Sequence, residues 1–174
     1  MKSVSVVKIV PIDNYDFEKV KYYSLKFDGE KESELEKFFK KYENEHSAGL
    51  NFIEMWIAEI GENHGAHSRF FRPEDNSSAL PPPSETIRHL DVELNEENLS
   101  LRLYCKVLSE NIVILGNGGV KESQATMQSP SCWKEFQIIS NIASQIDNLI
   151  VRNKLTLNGK EIVLEKGQNL LYKK

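Results

Sequence analysis

The chain has 174 residues, 40% of them hydrophobic, and a net charge of −4 at pH 7. That length supports one substantial core, so a single domain over residues 1–174 is expected. No run approaches the roughly 18 apolar residues of a membrane helix, and "MKSVSVVKIVPID" alternates where a signal peptide would hold an unbroken apolar block. A cytoplasmic protein with no membrane partner is therefore expected. The charge is asymmetric: residues 1–98 carry 12 Lys+Arg against 20 Asp+Glu, and residues 99–174 carry 10 against 6. A basic second half can build a local positive face for an anion, although a purely electrostatic nucleic-acid binder is usually more basic overall.

In chain order, "VSVVKIVPID" has the β-branched content of a strand that Pro11 should end, and "KVKYYSLKF" alternates Tyr23, Leu25 and Phe27 against Ser24 and Lys26 as a second strand. Asp28-Gly29 marks a turn. Leu35, Phe38, Phe39 and Tyr42 then form one apolar helical stripe, for a helix of about four turns from Glu32. Leu50, Ile53, Ile57 and Ile60 repeat the stripe up to Gly61, a natural stop, so the two helices read as a hairpin.

"RFFRPED" suggests a short strand, "NSSALPPPSE" a surface loop, and residues 84–98 a loosely ordered polar excursion. Leu101, Leu103 and Cys105 alternate with Arg102, Tyr104 and Lys106, which predicts one buried face and one face carrying Arg102 and Tyr104 outward. "ENIVILGNGG" is almost wholly apolar, as expected of a central strand antiparallel to it. Ser129 as N-cap and Pro130 at the first position open a helix with a core face from Cys132 to Ile150. "KLTLNGKEIVLEK", residues 154–166, reads as a hairpin with Asn158-Gly159 in a type I′ turn. The expected class is α+β: an antiparallel sheet packed against an N-terminal helical hairpin and a C-terminal helix, with extra N-terminal strands and a C-terminal β-hairpin.

Cys105 and Cys132 sit in apolar surroundings and read as reduced core thiols. The four histidines form no HExxH, and "ENHGAH" interrupts its pair with glycine, so neither a metal site nor a cofactor is expected. "GNGGVK" matches neither GxGxxG nor GxxxxGK[ST]. Its glycines read as a bulge or strand distortion in which Gly118 and Gly119 take backbone angles closed to other residues.

The helical hairpin, then "LRLYCKVLSENIVILGNGGVKESQ", then "SPSCWKEFQIISNIASQI", over residues 34–147, resembles the RelE/HigB group of bacterial toxins. In that group an arginine-bearing strand, an apolar strand ending in Gly-x-x-Lys and a C-terminal helix follow in this order. The resemblance implies a metal-independent mRNA endoribonuclease, often ribosome-associated and neutralised by a helix-turn-helix antitoxin. Carried over by position, it implies catalytic roles for Arg102, Lys121 and Arg72, and RNA-binding roles for Arg69, Tyr104 and Lys106. Cleavage by the RNA's own 2′-hydroxyl needs a cation for the phosphorane, a proton-transfer group and a surface for base stacking. Lys121 is followed by Glu122, where active members of the group carry further basic residues. The competing expectation is a non-catalytic protein-binding module, including a homodimer, engaged through sheet edges or the final hairpin.

Overall fold

The computed structural model describes residues 3–92, 95–122 and 129–174. Among these residues nine strands and four α-helices follow in order: β1 (Val4–Asp16), β2 (Lys21–Phe27), α1 (Glu34–Tyr42), α2 (Ser47–Glu59), β3 (Arg72–Glu74), β4 (Ser77–Leu80), α3 (Ser84–His89), β5 (Leu101–Ser109), β6 (Ile112–Val120), α4 (Pro130–Val151), β7 (Leu155–Asn158), β8 (Glu161–Leu164) and β9 (Leu170–Lys173). Seven strands form one sheet in the order β3-β4-β5-β6-β2-β1-β9, antiparallel except where β2 runs parallel to β6, and β7-β8 pair separately. The class is α+β, as the patterning predicts.

Alternation along the central strands divides the core in two. Tyr22, Leu103, Cys105, Val113 and Leu115 point toward the α1–α2 hairpin, where they meet Phe38, Ile53, Trp56 and Ile57. Tyr23, Leu25, Tyr104, Ile112 and Ile114 point the other way, toward Cys132, Ile139, Ile142 and Ile146 of α4. The sheet is thus covered on both faces, and the outward face predicted for Arg102 and Tyr104 lies beneath α4. Tyr104 has no exposed surface. Both cysteines are free and buried, as expected.

Several boundaries differ from the pattern, each for a local reason. β1 runs through Pro11 to Asp16 because Pro11 sits where the ladder needs no donor from it: β9 pairs with Val4 to Val7 only. The hydrogen bonds Asp28 N→Val6 O and Lys174 N→Ser3 O turn the even residues of β1 toward β2 and the odd ones toward the outer edge, so the amide that Pro11 lacks would have faced outward. α1 has nine residues, shorter than the predicted four turns, and begins at Glu34 rather than Glu32 because Ser33 and Glu36 close a capping box ahead of it. α2 does not stop at Gly61 but continues through a π-type turn, Ile60–His64, to Gly65 at φ 86°. Gly61 instead admits the Phe17 ring, which would lie 2.5 Å from a Cβ there. β4 lies inside the predicted loop, and α3 orders part of the predicted excursion, whose residues 93–94 lie outside the described ones. In the β7–β8 hairpin the loop is Gly159-Lys160 with only Gly159 at positive φ, the φ pattern of a type II′ turn rather than type I′.

β9 was not anticipated, and its exposed edge is guarded in a specific way. Leu170 and Tyr172 are turned to β1 by the register, which leaves the Leu171 amide and carbonyl facing outward. The Gln145 carboxamide of α4 takes both: Leu171 N donates to Oε1 at 2.9 Å and Nε2 donates to Leu171 O at 2.6 Å. A side-chain amide here stands in for the next strand. Gln145→Ala is expected to open this edge and produce concentration-dependent dimers by light scattering, with the wild type remaining monomeric through β9 under the same conditions.

A second consequence of packing is electrostatic. Glu135 of α4 has a buried Oε2 with no hydrogen-bond partner. Burial first, and then the Glu34 carboxylate, push its pKa up to about 7, against the opposing pull of Lys134, Lys41 and Lys37. Folding therefore takes up a proton at this site. The resulting stability is fully present below the ordinary carboxylate pKa of about 4.3 and is lost as pH rises through about 7. Glu135→Gln is expected to raise Tm by a few degrees at pH 8, to leave it nearly unchanged at pH 4.5, and to flatten the decline between them, as thermal melts across pH will read.

Candidate functional site

Where β5 begins and β6 ends, three elements deliver cations to one place. Arg102 comes from β5, Lys121 follows β6, and Arg72 opens β3 on the far side of β4. All three line a pocket of ≈ 770 Å³ together with Glu74, Glu96 and Glu122. The glycines near the end of β6 make the approach possible by close contact rather than by unusual backbone angles, since neither Gly118 nor Gly119 has positive φ. A Cβ on Gly118 would overlap the Arg102 carbonyl oxygen, and one on Gly119 would stand 2.6 Å from the Ser131 carbonyl carbon. Gly119 therefore lets the first turn of α4 sit directly on β6. The expected bulge is present opposite Tyr104, where the β5–β6 register slips between Leu103 paired with Gly118 and Cys105 paired with Leu115.

The first turn of α4 is tied to the same corner. Ser129 does not cap the helix with its side chain; its Oγ instead accepts the Glu122 amide at 3.0 Å. Ser131 Oγ accepts the Val120 amide at 3.1 Å, and the Cys132 thiol donates to the Val120 carbonyl at 3.4 Å. These bonds fix the backbone on which Lys121 stands, together with Lys121 N→Ser100 O at 2.8 Å.

The guanidinium groups are held by backbone oxygens. Arg102 Nη1 donates to Leu99 O at 2.9 Å and to Leu101 O at 3.0 Å. Arg72 Nε donates to Pro81 O at 3.0 Å and Nη2 to Pro82 O at 3.2 Å, so the proline run serves as an acceptor rail for this side chain. Burial pushes the Arg102 pKa down to about 10, with Arg72 adding to the shift and Cys132, Tyr104 and Glu74 opposing it. Arg102 thus remains charged at neutral pH. Burial also lowers Lys121, opposed by Glu74 and Cys132 and reinforced by Arg102 and Arg72. Arg72 is lowered by burial, with Glu74 opposing. Arg72 thus depresses both Arg102 and Lys121, Arg102 depresses Lys121, and the Glu74 carboxylate acts on all three.

The remaining residues implied by the toxin resemblance fall elsewhere. Tyr104 shares the Arg102 side of β5 but is sealed beneath α4 against Phe136, 5.9 Å between ring centroids, so it cannot stack on a base. Lys106 lies farther along the strand, donating to Asn76 O at 2.7 Å and bridging to Asp147 at 3.0 Å. Arg69 is exposed over the Phe70 ring at 4.7 Å and borders a different, smaller cavity with His89 and Leu90. Sequence reading missed Glu74 as a member of the site, because as a neighbour of Arg72 it reads as a surface ion-pair partner. Its alternation with Arg72 across Pro73 was the available signal. Among the described residues no group of histidine, cysteine and carboxylate side chains has the arrangement to hold a metal ion, and no helix is long and apolar enough to cross a membrane.

Comparison with known proteins gives no match: no family model, no curated protein and no solved structure is similar to the chain.

Proposed function

We propose that the chain is a toxin-like RNA-binding protein that accepts one RNA phosphate among Arg72, Arg102 and Lys121 and cleaves the strand beside it. The observation that carries this reading is the meeting of three cations from three separate elements in a single pocket, with the Glu74 carboxylate acting on all three. In this chemistry the Glu74 carboxylate takes the proton of the RNA 2′-hydroxyl, whose oxygen attacks the adjacent phosphorus. Arg102 and Arg72 stabilise the phosphorane charge, and the Lys121 ammonium gives a proton to the departing 5′-oxygen. The products are a 2′,3′-cyclic phosphate and a 5′-hydroxyl, and the reaction needs no metal. The biological partner that fits this reading is a helix-turn-helix antitoxin, with mRNA on the ribosome as substrate.

The test is incubation with mRNA, with and without ribosomes, in the presence of EDTA. Cyclic-phosphate ends that vanish in Glu74→Gln support the reading, and intact RNA in both settings overturns it. Because three carboxylates balance the three cations, binding should engage one or two phosphates only. The slope of log K against log salt is then expected at about −0.7 to −1.4 for a single strand, measured by fluorescence anisotropy.

A second reading, a binding module without catalysis, is favoured by the anchoring of Arg72 and Arg102 on backbone carbonyls, which commits part of each guanidinium to the fold. It would show as RNA or protein binding with no cut ends, or as a homodimer in light scattering.

A further inference from the structure

On the hairpin side of the sheet, away from the cationic pocket, a groove of ≈ 710 Å³ runs between the second half of β1 and α1. Its floor is apolar, made by Ile12, Leu35 and Phe39, of which Ile12 and Phe39 are only partly covered by the core. Its rim is acidic: Asp13, Glu36, Glu43 and Glu54 line it together with Glu32, against Lys40 as the one basic residue. Lys40 is already paired with Glu32 at 3.7 Å, Glu36 closes the α1 cap, and Glu54 accepts from the Tyr15 hydroxyl at 3.2 Å. Asp13 and Glu43 are exposed, and neither side chain takes part in a hydrogen bond or ion pair among the described residues.

Two features select the occupant. The outer edge of β1 beyond Val7 has no partner strand among the described residues, yet Pro11 removes the amide that a docked strand would need there. An added strand is therefore disfavoured, and recognition falls to side chains. A helix that lays one apolar stripe on Ile12, Leu35 and Phe39 and projects lysines or arginines to either side satisfies both floor and rim.

We infer that this groove docks a basic amphipathic helix of a partner protein, through an apolar seam flanked by ion pairs to Asp13 and Glu43. The inference is independent of the RNA reading, since no residue is shared between the two sites. Electrostatic complementarity of this kind raises the association rate and excludes acidic partners, while the apolar seam sets residence time.

The experiment uses the full chain and two peptides of about 18 residues, or five helical turns. Both have the same leucine and lysine composition: one is patterned with a 3.6-residue apolar period, the other scrambled. Binding is read by anisotropy, and the site by backbone amide shifts. The patterned peptide is expected to bind at least about tenfold more tightly than its isomer, a difference of about 1.4 kcal/mol. Shifts are expected along residues 10–15 and 32–43, and Asp13→Lys with Glu43→Lys should cancel the preference with an unchanged melting curve. Equal affinity for the two isomers, shifts centred elsewhere, or indifference to the double substitution would overturn the inference. Phe39→Asp provides an independent check, since it removes the seam and leaves every rim carboxylate in place.

Discussion

Gly118→Ala is expected to cost about 3 kcal/mol of folding stability, the upper end of the usual range for overpacking, or to abolish the folded state. The added methyl would overlap the Arg102 carbonyl oxygen and stand 2.9 Å from the Phe38 ring. Relief is blocked on both sides. Leu103 pairs with Gly118 in the ladder, so the carbonyl cannot retreat without breaking β5 from β6, and Phe38 is fully buried. Urea denaturation should show a large fall in midpoint with little change in m. Gly29→Ala makes an instructive contrast. Nothing lies within 4 Å of a Cβ there, but φ is 84°, so a smaller cost of about 1–2 kcal/mol is expected from backbone strain alone. A Gly118→Ala protein with the wild-type midpoint would refute the close-approach account of this corner.

Arg102→Met is expected to separate binding from folding. Methionine keeps an unbranched side chain of similar reach but removes the charge-assisted donors, so affinity for inorganic phosphate or RNA should fall about ten- to a hundredfold. Stability should move little, with Tm within about 3 °C of wild type. The Leu99 and Leu101 carbonyls lose their donor, whereas a buried cation that suffers both desolvation and the field of Arg72 disappears. Isothermal titration and a thermal melt on the same preparation decide the matter. Unaltered affinity in a folded variant would exclude Arg102 from the anion site, and collapse of the fold would mean that its backbone hydrogen bonds outweigh its electrostatic cost.

The class of the fold was legible because its signals are local and periodic. The stripe through Leu35, Phe38 and Tyr42, the alternation of Leu101, Leu103 and Cys105, and the apolar run of β6 each depend on a few neighbouring residues. What escaped was decided by distant contacts. β9 is four residues long and becomes a strand only because β1 offers an edge, and the parallel union of β2 with β6 leaves no mark in either segment. Tyr104 shows the limit most clearly: alternation placed it correctly on the same side as Arg102, but one strand's pattern cannot reveal that a helix will be laid over that side. The same ambiguity hid Glu74, whose place among the cations depends on β3 folding back along β4 and β4 pairing with β5.

The union of β1 with β9 also has a mechanical consequence. Val4 lies opposite Lys173 in antiparallel register, so a pull that separates the outer ends of these two strands acts across the ladder and not along it. Under such a load the hydrogen bonds open singly, from Ser3–Lys174 inward, and β9 should peel away at low force while the five inner strands and the helices on either side of them hold. An optical-trap trace should accordingly begin with a small, reversible extension before the main rupture.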